Sequence, residues 1–241
     1  MEKSGLRILI HGASGRMGRA LLRLARDDAR LRIVAAVSRS GGADAEADVP
    51  TLSTERLDEC GDFDVAIDFS LPEGFDAILE LCRSRGRALV SGTTGLSDRQ
   101  REAMAQSAQA IPLIWASNFS LGVAVLEDLV ARAAGALPDW PVRIIETHHV
   151  HKLDAPSGTA LTLARASEAG SGKAAAIESI REGEVVGDHL VVLAGPAERI
   201  ELRHSALNRD IFAAGALEAA LRLAGRPPRL WRLPELMFMN E

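Results

Sequence analysis

The segment from Glu146 to Thr159 holds the densest set of chemically capable side chains in the chain. It reads Glu-Thr-His-His-Val-His-Lys-Leu-Asp-Ala-Pro-Ser-Gly-Thr and contains three of the 6 histidines. Histidine changes charge near neutral pH, so a positioned imidazole can give or take a proton. The lysine adds a fixed positive charge. The segment therefore predicts a proton-transfer step, an anionic ligand, or both.

Three interpretations of this segment stay open from the residues alone. His148, His149 and His151 could bind zinc, although a strand would point the first two to opposite faces. All three could instead be hydrogen-bonded surface residues. Alternatively, one histidine donates a proton while Lys152 and a second histidine hold negative charge. In that case the Ser-Gly-Thr turn at 157–159, which opens a predicted helix, offers backbone N–H groups to a carboxylate.

A glycine-rich turn near the start of the chain predicts a dinucleotide site. Gly12-x-x-Gly15-x-x-Gly18 stands between a predicted strand and a predicted helix that runs to about Ala29. Glycine allows the tight turn and the close approach of a pyrophosphate, and the helix start favours phosphate charge. An unliganded β–α turn could look alike, but the strand–turn–helix order favours nucleotide binding.

The end of the second predicted strand bears on the choice between NADPH and NADH. Dinucleotide sites usually carry an acidic residue there, which accepts from the ribose 2′-hydroxyl. Here Ser38 and Arg39 occupy the place. A hydroxyl and a guanidinium suit a 2′-phosphate better, so we expect NADPH to be accepted at least as well as NADH. If Arg39 only stacks on adenine, both cofactors bind.

Two further loops follow predicted strands of the same sheet. They are Gly92-Thr93-Thr94-Gly95 and Ala116-Ser117-Asn118-Phe119. Because ligands bind outside the carboxyl ends of parallel strands, both loops could border the nicotinamide, or they could be ordinary polar turns.

The pattern of elements predicts an α/β protein in two parts. Strands and helices alternate as far as residue 119, which predicts an N-terminal Rossmann-like parallel sheet. From about Ser120, a long helix and several strand-like runs predict a C-terminal α+β domain with a mixed sheet. Residues 169–173, Ala-Gly-Ser-Gly-Lys, form the one stretch that looks flexible.

Composition excludes several classes of protein. Of 241 residues, 47% are hydrophobic and 25% charged, which is ordinary for a globular protein, and the net charge of −5 argues against a general nucleic-acid binder. No apolar run approaches the ~20 residues that span a bilayer. The charged residues 1–7 and two cysteines without ligand-like spacing predict a cytoplasmic protein with no signal peptide and with buried thiols. Since tyrosine is absent, a reductase here must take its proton from another group.

Five motifs together resemble the 4-hydroxy-tetrahydrodipicolinate reductase (dihydrodipicolinate reductase) family over nearly the whole chain. The most specific is Glu146-x-His148-His149-x-His151-Lys152-x-Asp154-Ala155-Pro156-Ser157-Gly158-Thr159-Ala160. The others are Gly12-Ala13-Ser14-Gly15-Arg16-Met17-Gly18, Asp68-Phe69-Ser70-x-Pro72-Glu73-Gly74, Gly92-Thr93-Thr94-Gly95 and Ser117-Asn118-Phe119-Ser120-x-Gly122-Val123.

The resemblance implies an enzyme of diaminopimelate and lysine biosynthesis that reduces a cyclic dicarboxylate with NADPH, NADH or both. It implies His148 as proton donor and acceptor, Lys152 as a second donor, and His149, Gly158 and Thr159 as substrate ligands. It implies cofactor contacts from Gly12, Ala13, Ser14, Gly15, Arg16, Met17, Ser38, Arg39, Gly92, Thr93, Thr94, Ala116, Ser117, Asn118 and Phe119. We expect no metal, nucleic acid or membrane to take part.

The resemblance also implies a domain organisation. Residues 1–119, completed by 209–241, form the dinucleotide-binding domain, and residues 120–208 form a substrate-binding and oligomerisation domain, usually within a homotetramer. The chain departs from the family at Ser38, which replaces an acidic ribose ligand. It departs again at residues 169–176, which replace a longer Arg-Glu-Gly-x-Thr-Gly-x-Arg-like run. Matching residues resume at Arg181-x-Gly183 and Gly187-Asp188-His189, which indicates a loop deletion.

Three rival functions also fit parts of the sequence. A related reductase of amino-acid metabolism, such as an aspartate dehydrogenase, would differ in its substrate. A nucleotide-sensing protein would bind NAD(P)H without turnover. A zinc hydrolase would hold stoichiometric metal and lose its activity to chelators.

Overall fold

The computed structural model describes residues 5–41 and 49–239. Residues 1–4, on which the signal-peptide prediction partly rests, lie outside this range. The chain folds into two compact units, Met1–Phe119 with Phe212–Glu241, and Ser120–Ile211. None of the helices described is both long enough and apolar enough to cross a membrane.

Strands and helices alternate through the first unit, as predicted. Across both units, the elements in chain order are β1 (Leu6–His11), α1 (Arg16–Arg26), β2 (Leu31–Ser38), β3 (Thr51–Ser53), a 3₁₀ segment (Thr54–Glu59), β4 (Val65–Asp68), α2 (Pro72–Arg85), β5 (Ala88–Ser91), α3 (Asp98–Ser107), β6 (Pro112–Trp115), α4 (Leu121–Ala136), β7 (Val142–His148), α5 (Gly158–Ser171), β8 (Ala176–Arg181), β9 (Asp188–Ala194), β10 (Arg199–Ser205), α6 (Asp210–Leu223), β11 (Arg229–Trp231) and α7 (Leu233–Phe238).

The first unit contains a parallel sheet in the order β11-β6-β5-β4-β1-β2-β3, which confirms the predicted Rossmann-like fold. Every residue of β4 and β5 is buried, as are Ile8, Leu9 and Ile10 in β1. Such continuous apolar strands are typical of a parallel sheet that is covered on both faces. Strand order reverses at β1, which has β2 on one side and β4 on the other. A ligand crevice is expected outside the carboxyl ends at such a point.

The second unit contains a four-stranded sheet in the order β10-β9-β7-β8. Strands β7 and β8 are parallel and the other pairs are antiparallel, which confirms the predicted mixed sheet. Its core joins α4 and α5 to one face of the sheet, with Leu126 and Val130 of α4 packing among Leu163, Val191 and Leu193.

The prediction of a flexible stretch at residues 169–173 is wrong for most of its length. Helix α5 continues to Ser171, and Gly172 ends it in the left-handed conformation that glycine favours at a helix C-terminus. A methyl group on Gly170 would overlap the carbonyl oxygen of Ala131 on α4. The glycine therefore allows close packing of two helices. Both cysteines are buried and free, as predicted.

Candidate active site

The glycine-rich turn joins β1 to α1 at the carboxyl edge of the parallel sheet. Gly12 and Ala13 both donate their N–H groups to the carbonyl oxygen of Val37, at 2.9 Å. Gly12 has a φ of +82°, and a methyl group on it would lie 2.6 Å from the carbonyl oxygen of Phe69. The turn therefore needs glycine both for its backbone conformation and for its contact with the loop after β4.

The start of α1 leaves polar groups open to solvent. Ser14, Gly15 and Arg16 are exposed, and Met17 is half-buried. A methyl group on Gly18 would overlap the backbone of the turn, so this glycine brings the helix close to the strand. Helix N-termini bind anions through their N–H groups and dipole, and Arg16 adds positive charge. The arrangement can hold the pyrophosphate of a dinucleotide.

Asp68 links the polar groups at the carboxyl ends of β1, β4 and β5. Its fully buried carboxylate accepts hydrogen bonds from His11 Nδ1 (2.9 Å), the hydroxyls of Ser91 (2.9 Å) and Thr93 (2.8 Å), and the Ser70 N–H (3.1 Å). Burial by itself raises the pKa of Asp68, but the hydrogen bonds outweigh burial and lower it. The ionised network fixes the loop that follows β5.

The two loops predicted to border the nicotinamide follow the neighbouring strands β5 and β6 at this same edge. The indole Nε1 of Trp115 donates to the carbonyl oxygen of Thr93 at 2.8 Å. Phe119 packs edge to face on Phe69, with ring centroids 5.7 Å apart. The remaining predicted loop residues, which range from half-buried to exposed, are Gly92, Thr94, Ala116, Ser117 and Asn118.

Ser38 and Arg39 lie at the carboxyl end of β2, the strand next to β1. Ser38 is buried, and its carbonyl oxygen accepts a hydrogen bond from the Thr54 hydroxyl at 3.4 Å. Arg39 is exposed. A solvent-facing guanidinium therefore stands where a ribose 2′-substituent is expected.

In the second unit, the side chains on the covered face of the sheet change from apolar to titratable along the strands. The last three inward-facing side chains of β7 are those of Ile144, Glu146 and His148. The register sets Glu146 opposite His189 on β9, and His189 opposite His204 on β10. Side chains two residues apart on a strand share a face, so these four polar residues form one cluster at the end of the core. We call Glu146, His148, His189 and His204 the polar row.

Glu146 is fully buried and ionised. Its Oε1 accepts hydrogen bonds from the Ser157 N–H and from Arg181 Nη2, each at 3.1 Å. Burial raises the pKa of Glu146, but its hydrogen bonds, first among them those from Ser157, more than offset this and lower it. The other oxygen, Oε2, lies 3.1 Å from Nδ1 of His148.

Burial lowers the pKa of all three histidines of the polar row, which favours their neutral form. Burial lowers the pKa of His148, Glu146 raises it and Lys152 lowers it, and the net direction is downward. Burial, with further lowering from His148 and His204, brings the pKa of His189 to about 4. The rings of His148 and His189 meet edge to face, with centroids 5.2 Å apart.

The depressed pKa of His189 predicts a loss of stability in acid. An unfolded histidine titrates near pH 6.5, so this group stabilises the fold fully above that pH and progressively less as pH falls toward 4. The linkage amounts to about 3 kcal/mol at most. We expect His189→Gln, which cannot titrate, to lose less unfolding free energy than the wild type between pH 7.5 and 5 in urea titrations. Equal losses would contradict the burial of a neutral imidazole.

Lys152, the predicted second donor, lies in the loop after β7. Its Nζ donates to Oδ1 of Asp154 at 2.7 Å. Arg181 holds this loop by donating from Nε to the Lys152 carbonyl oxygen at 3.3 Å and from Nη2 to that of Asp154. Lys152 is therefore six residues from Glu146 in the chain, but its backbone carbonyl contacts the same arginine that donates to Glu146.

Two of the predicted substrate ligands, Gly158 and Thr159, are the first two residues of α5. Ser157 caps this helix through its hydroxyl, Gly158 is exposed and Thr159 is half-buried. His149 accepts a hydrogen bond at Nε2 from Arg209 Nη2 at 3.2 Å. At the N-terminus of α5, the Ser157 N–H and Arg181 share one oxygen of Glu146, and such a combination of helix start and arginine suits a carboxylate.

A trio other than the three histidines considered for zinc comes close enough to hold a metal ion. Among the described residues, ligand atoms of Glu146, His148 and His189 lie within 4.8 Å of one another, and His149 and His151 do not join them. Arg181 already donates to the Glu146 carboxylate. A buried site that contains this cation is better suited to a proton than to a divalent ion.

Sequence reasoning assigns no role to several residues of these networks. Asp68 lies within a quoted motif without an assigned role, and His11 and His189 have no predicted role in the site. His189 falls on an alternating strand, which shows that it faces inward. Its position opposite Glu146 depends on the antiparallel register, which a single sequence does not reveal.

Comparisons with known proteins agree over the whole chain. Residues 6–119 match the family model described as dihydrodipicolinate reductase, N-terminus, and residues 122–237 match its C-terminus. A 4-hydroxy-tetrahydrodipicolinate reductase of Xanthomonas campestris pv. campestris is 57% identical over 239 residues, which cover 99% of this chain and 100% of that protein. A reductase of the same name from Xylella fastidiosa is 53% identical and covers 97% and 99%. Dipicolinate-bound dihydrodipicolinate reductase from Paenisporosarcina sp. TG-14 shares the fold, with a TM-score of 0.84, 24% identity and coverage of 96% and 99%.

Proposed function

The chain belongs to the dihydrodipicolinate reductase family, and from that membership we propose that it reduces 4-hydroxy-tetrahydrodipicolinate to tetrahydrodipicolinate in diaminopimelate and lysine biosynthesis. The reductant is NADPH or NADH. The reaction adds one hydride and one proton to the ring and releases water from the hydroxylated carbon. The substrate is a small cyclic dicarboxylate, so its site must supply positive charge and an acid.

The dinucleotide fits the first unit. Reduced nicotinamide supplies the hydride when bound. The turn Gly12 to Met17 is proposed to hold the pyrophosphate, because Gly12 needs both a positive φ and a missing side chain. The loops that contain Thr93 and Phe119 are proposed to border the nicotinamide, and the Asp68 network keeps the first of them rigid.

The second unit supplies the acid and the anion ligands. His148 is proposed to exchange the proton, because it is the histidine of the polar row that directly precedes the loop containing Lys152. Lys152 is proposed to leave Asp154 for the substrate, to offset its negative charge and to act as a second donor. His149, Gly158 and Thr159 are proposed to bind the carboxylates at the start of α5.

The observation that carries this proposal is the match of both family halves to the chain, together with a buried carboxylate–imidazole pair inside the most specific motif. The test couples the purified chain to the preceding synthase reaction and follows NADPH absorbance. We expect oxidation that depends on the synthase product. A panel with aspartate or oxaloacetate and ammonia tests the aspartate dehydrogenase alternative, and NADPH binding without any turnover would identify a sensor.

Arg39 predicts the cofactor preference. We expect the wild type to use NADPH at least as well as NADH by kcat/KM, because the guanidinium can pair with the 2′-phosphate. Arg39→Ala should raise KM for NADPH by roughly tenfold, the equivalent of ~1.4 kcal/mol, and leave NADH nearly unchanged. A strong NADH preference in the wild type, or equal losses for both cofactors, would show that Arg39 does not read the phosphate.

Cytoplasmic location and a homotetramer are part of the same proposal. Ile145, Leu190 and Val192 are only half-buried in the single chain and lie on the strand faces opposite the core. This supports association through the sheet of the second unit. Light scattering after size exclusion checks it, with the mass of four chains expected.

A further inference from the structure

We propose that Glu146 and Gly187 are positioning residues that make Nε2 of His148 the atom through which the proton is exchanged. The inference rests on the proposed function for the role of His148. Its structural part lies wholly within the second unit and can be tested without substrate.

The two carboxylate oxygens of Glu146 have different partners. Oε1 is occupied by the Ser157 N–H and by Arg181 Nη2. Within the described residues, Oε2 of Glu146 and Nδ1 of His148 are buried and have no hydrogen bond of good geometry, yet they lie 3.1 Å apart. Each is the obvious partner of the other, and a small rotation aligns them. Apo active sites often hold such contacts loosely.

The charge on Glu146 decides which nitrogen of His148 carries hydrogen. An ionised carboxylate can only accept, so Nδ1 must be the N–H donor. In a neutral imidazole the other nitrogen then holds the lone pair. Nε2 is thus the atom that takes up a proton and releases it to substrate, while Nδ1 keeps its hydrogen throughout the cycle.

Gly187 leaves space beside that atom. A methyl group at position 187 would lie 3.0 Å from Nε2 of His148 and 3.3 Å from its Cδ2. The φ of Gly187 is not positive, so the backbone does not demand glycine there. The absent side chain serves the neighbouring ring: it keeps Nε2 unobstructed.

Glu146→Gln should reverse the tautomer. The amide oxygen will take the place of Oε1, where two donors meet it, and the amide NH₂ will then face Nδ1. Nδ1 must accept from that group, so the ring hydrogen moves to Nε2 and the lone pair is lost there. We expect kcat to fall by about 10², with KM and NADPH affinity nearly unchanged.

Long-range ¹H–¹⁵N spectra of histidine-labelled protein at pH 7.5 test the proposal directly. His148 is assigned from its loss in His148→Asn. We expect the wild type to show the Nδ1–H form and Glu146→Gln the Nε2–H form, while Glu201→Gln, an exposed change on β10, keeps the wild-type pattern.

Gly187→Ala gives an independent variant. It should keep the Nδ1–H form but lower kcat by at least about tenfold, because the methyl group crowds Nε2. Wild-type turnover in this variant would overturn the role of Gly187. An Nε2–H form in the wild type would overturn the role of Glu146, and it can be read even if a variant does not fold. The tautomer is measured without substrate, so a wrong substrate assignment would leave this result intact.

Discussion

His148→Asn lowers kcat by about 10²–10⁴, the usual contribution of one acid–base group, while NADPH affinity stays at the wild-type value. Asparagine can still donate to Oε2 of Glu146 from its amide, so the buried carboxylate keeps a partner. Asparagine has no titratable atom at the position that Nε2 of His148 occupies. The loss should therefore appear in turnover and not in folding.

Steady-state kinetics, NADPH titration by fluorescence and urea unfolding separate these effects. His151→Asn is the matched control, since His151 is exposed in the same segment, and it should retain activity. Near-wild-type turnover in His148→Asn, or equal losses in both variants, would remove His148 from the chemistry.

Gly12→Ala abolishes tight cofactor binding. The left-handed φ of +82° costs a non-glycine residue about 1–2 kcal/mol, and the methyl group would also lie 2.6 Å from the Phe69 carbonyl oxygen. Relief of this contact must move the turn that receives the pyrophosphate. We expect NADPH affinity to fall by at least about tenfold, and unfolding free energy to fall as well.

Gly225→Ala separates strain from crowding. Gly225 has a φ of +73°, a methyl group on it would meet no atom within 4 Å, and it lies after α6, apart from the turn. We expect it to lose about 1 kcal/mol of unfolding free energy with no change in NADPH affinity. If both variants bind NADPH as the wild type does, the turn does not hold the cofactor.

The sequence was sufficient for those elements whose pattern is local. Continuous apolar strands such as β4 and β5 and the glycine turn at Gly12 identify a parallel nucleotide-binding sheet. The prediction of flexibility was wrong at Gly170, because a glycine that allows two helices to pack closely looks the same in sequence as a flexible one. The short strands β3 and β11 carry too few residues to show a period.

The site was only partly predictable, for a different reason. His148 and Lys152 lie in one dense segment and are visible in the sequence. His189 and Gly187 reach His148 through pairing of strands far apart in the chain, and Arg181 reaches Glu146 in the same way. Whether Glu146 is ionised depends on burial and on donors from the start of α5 and from β8, which only the folded chain defines.

The most direct test of the whole account is transfer of deuterium. NADPH or NADH labelled at nicotinamide C4, in either stereochemical position, is supplied with freshly formed 4-hydroxy-tetrahydrodipicolinate, and the product is examined by mass spectrometry. The account predicts tetrahydrodipicolinate with one deuterium atom from one of the two labelled positions, at a rate that falls in His148→Asn. Unlabelled product, or cofactor oxidation without tetrahydrodipicolinate, would contradict it.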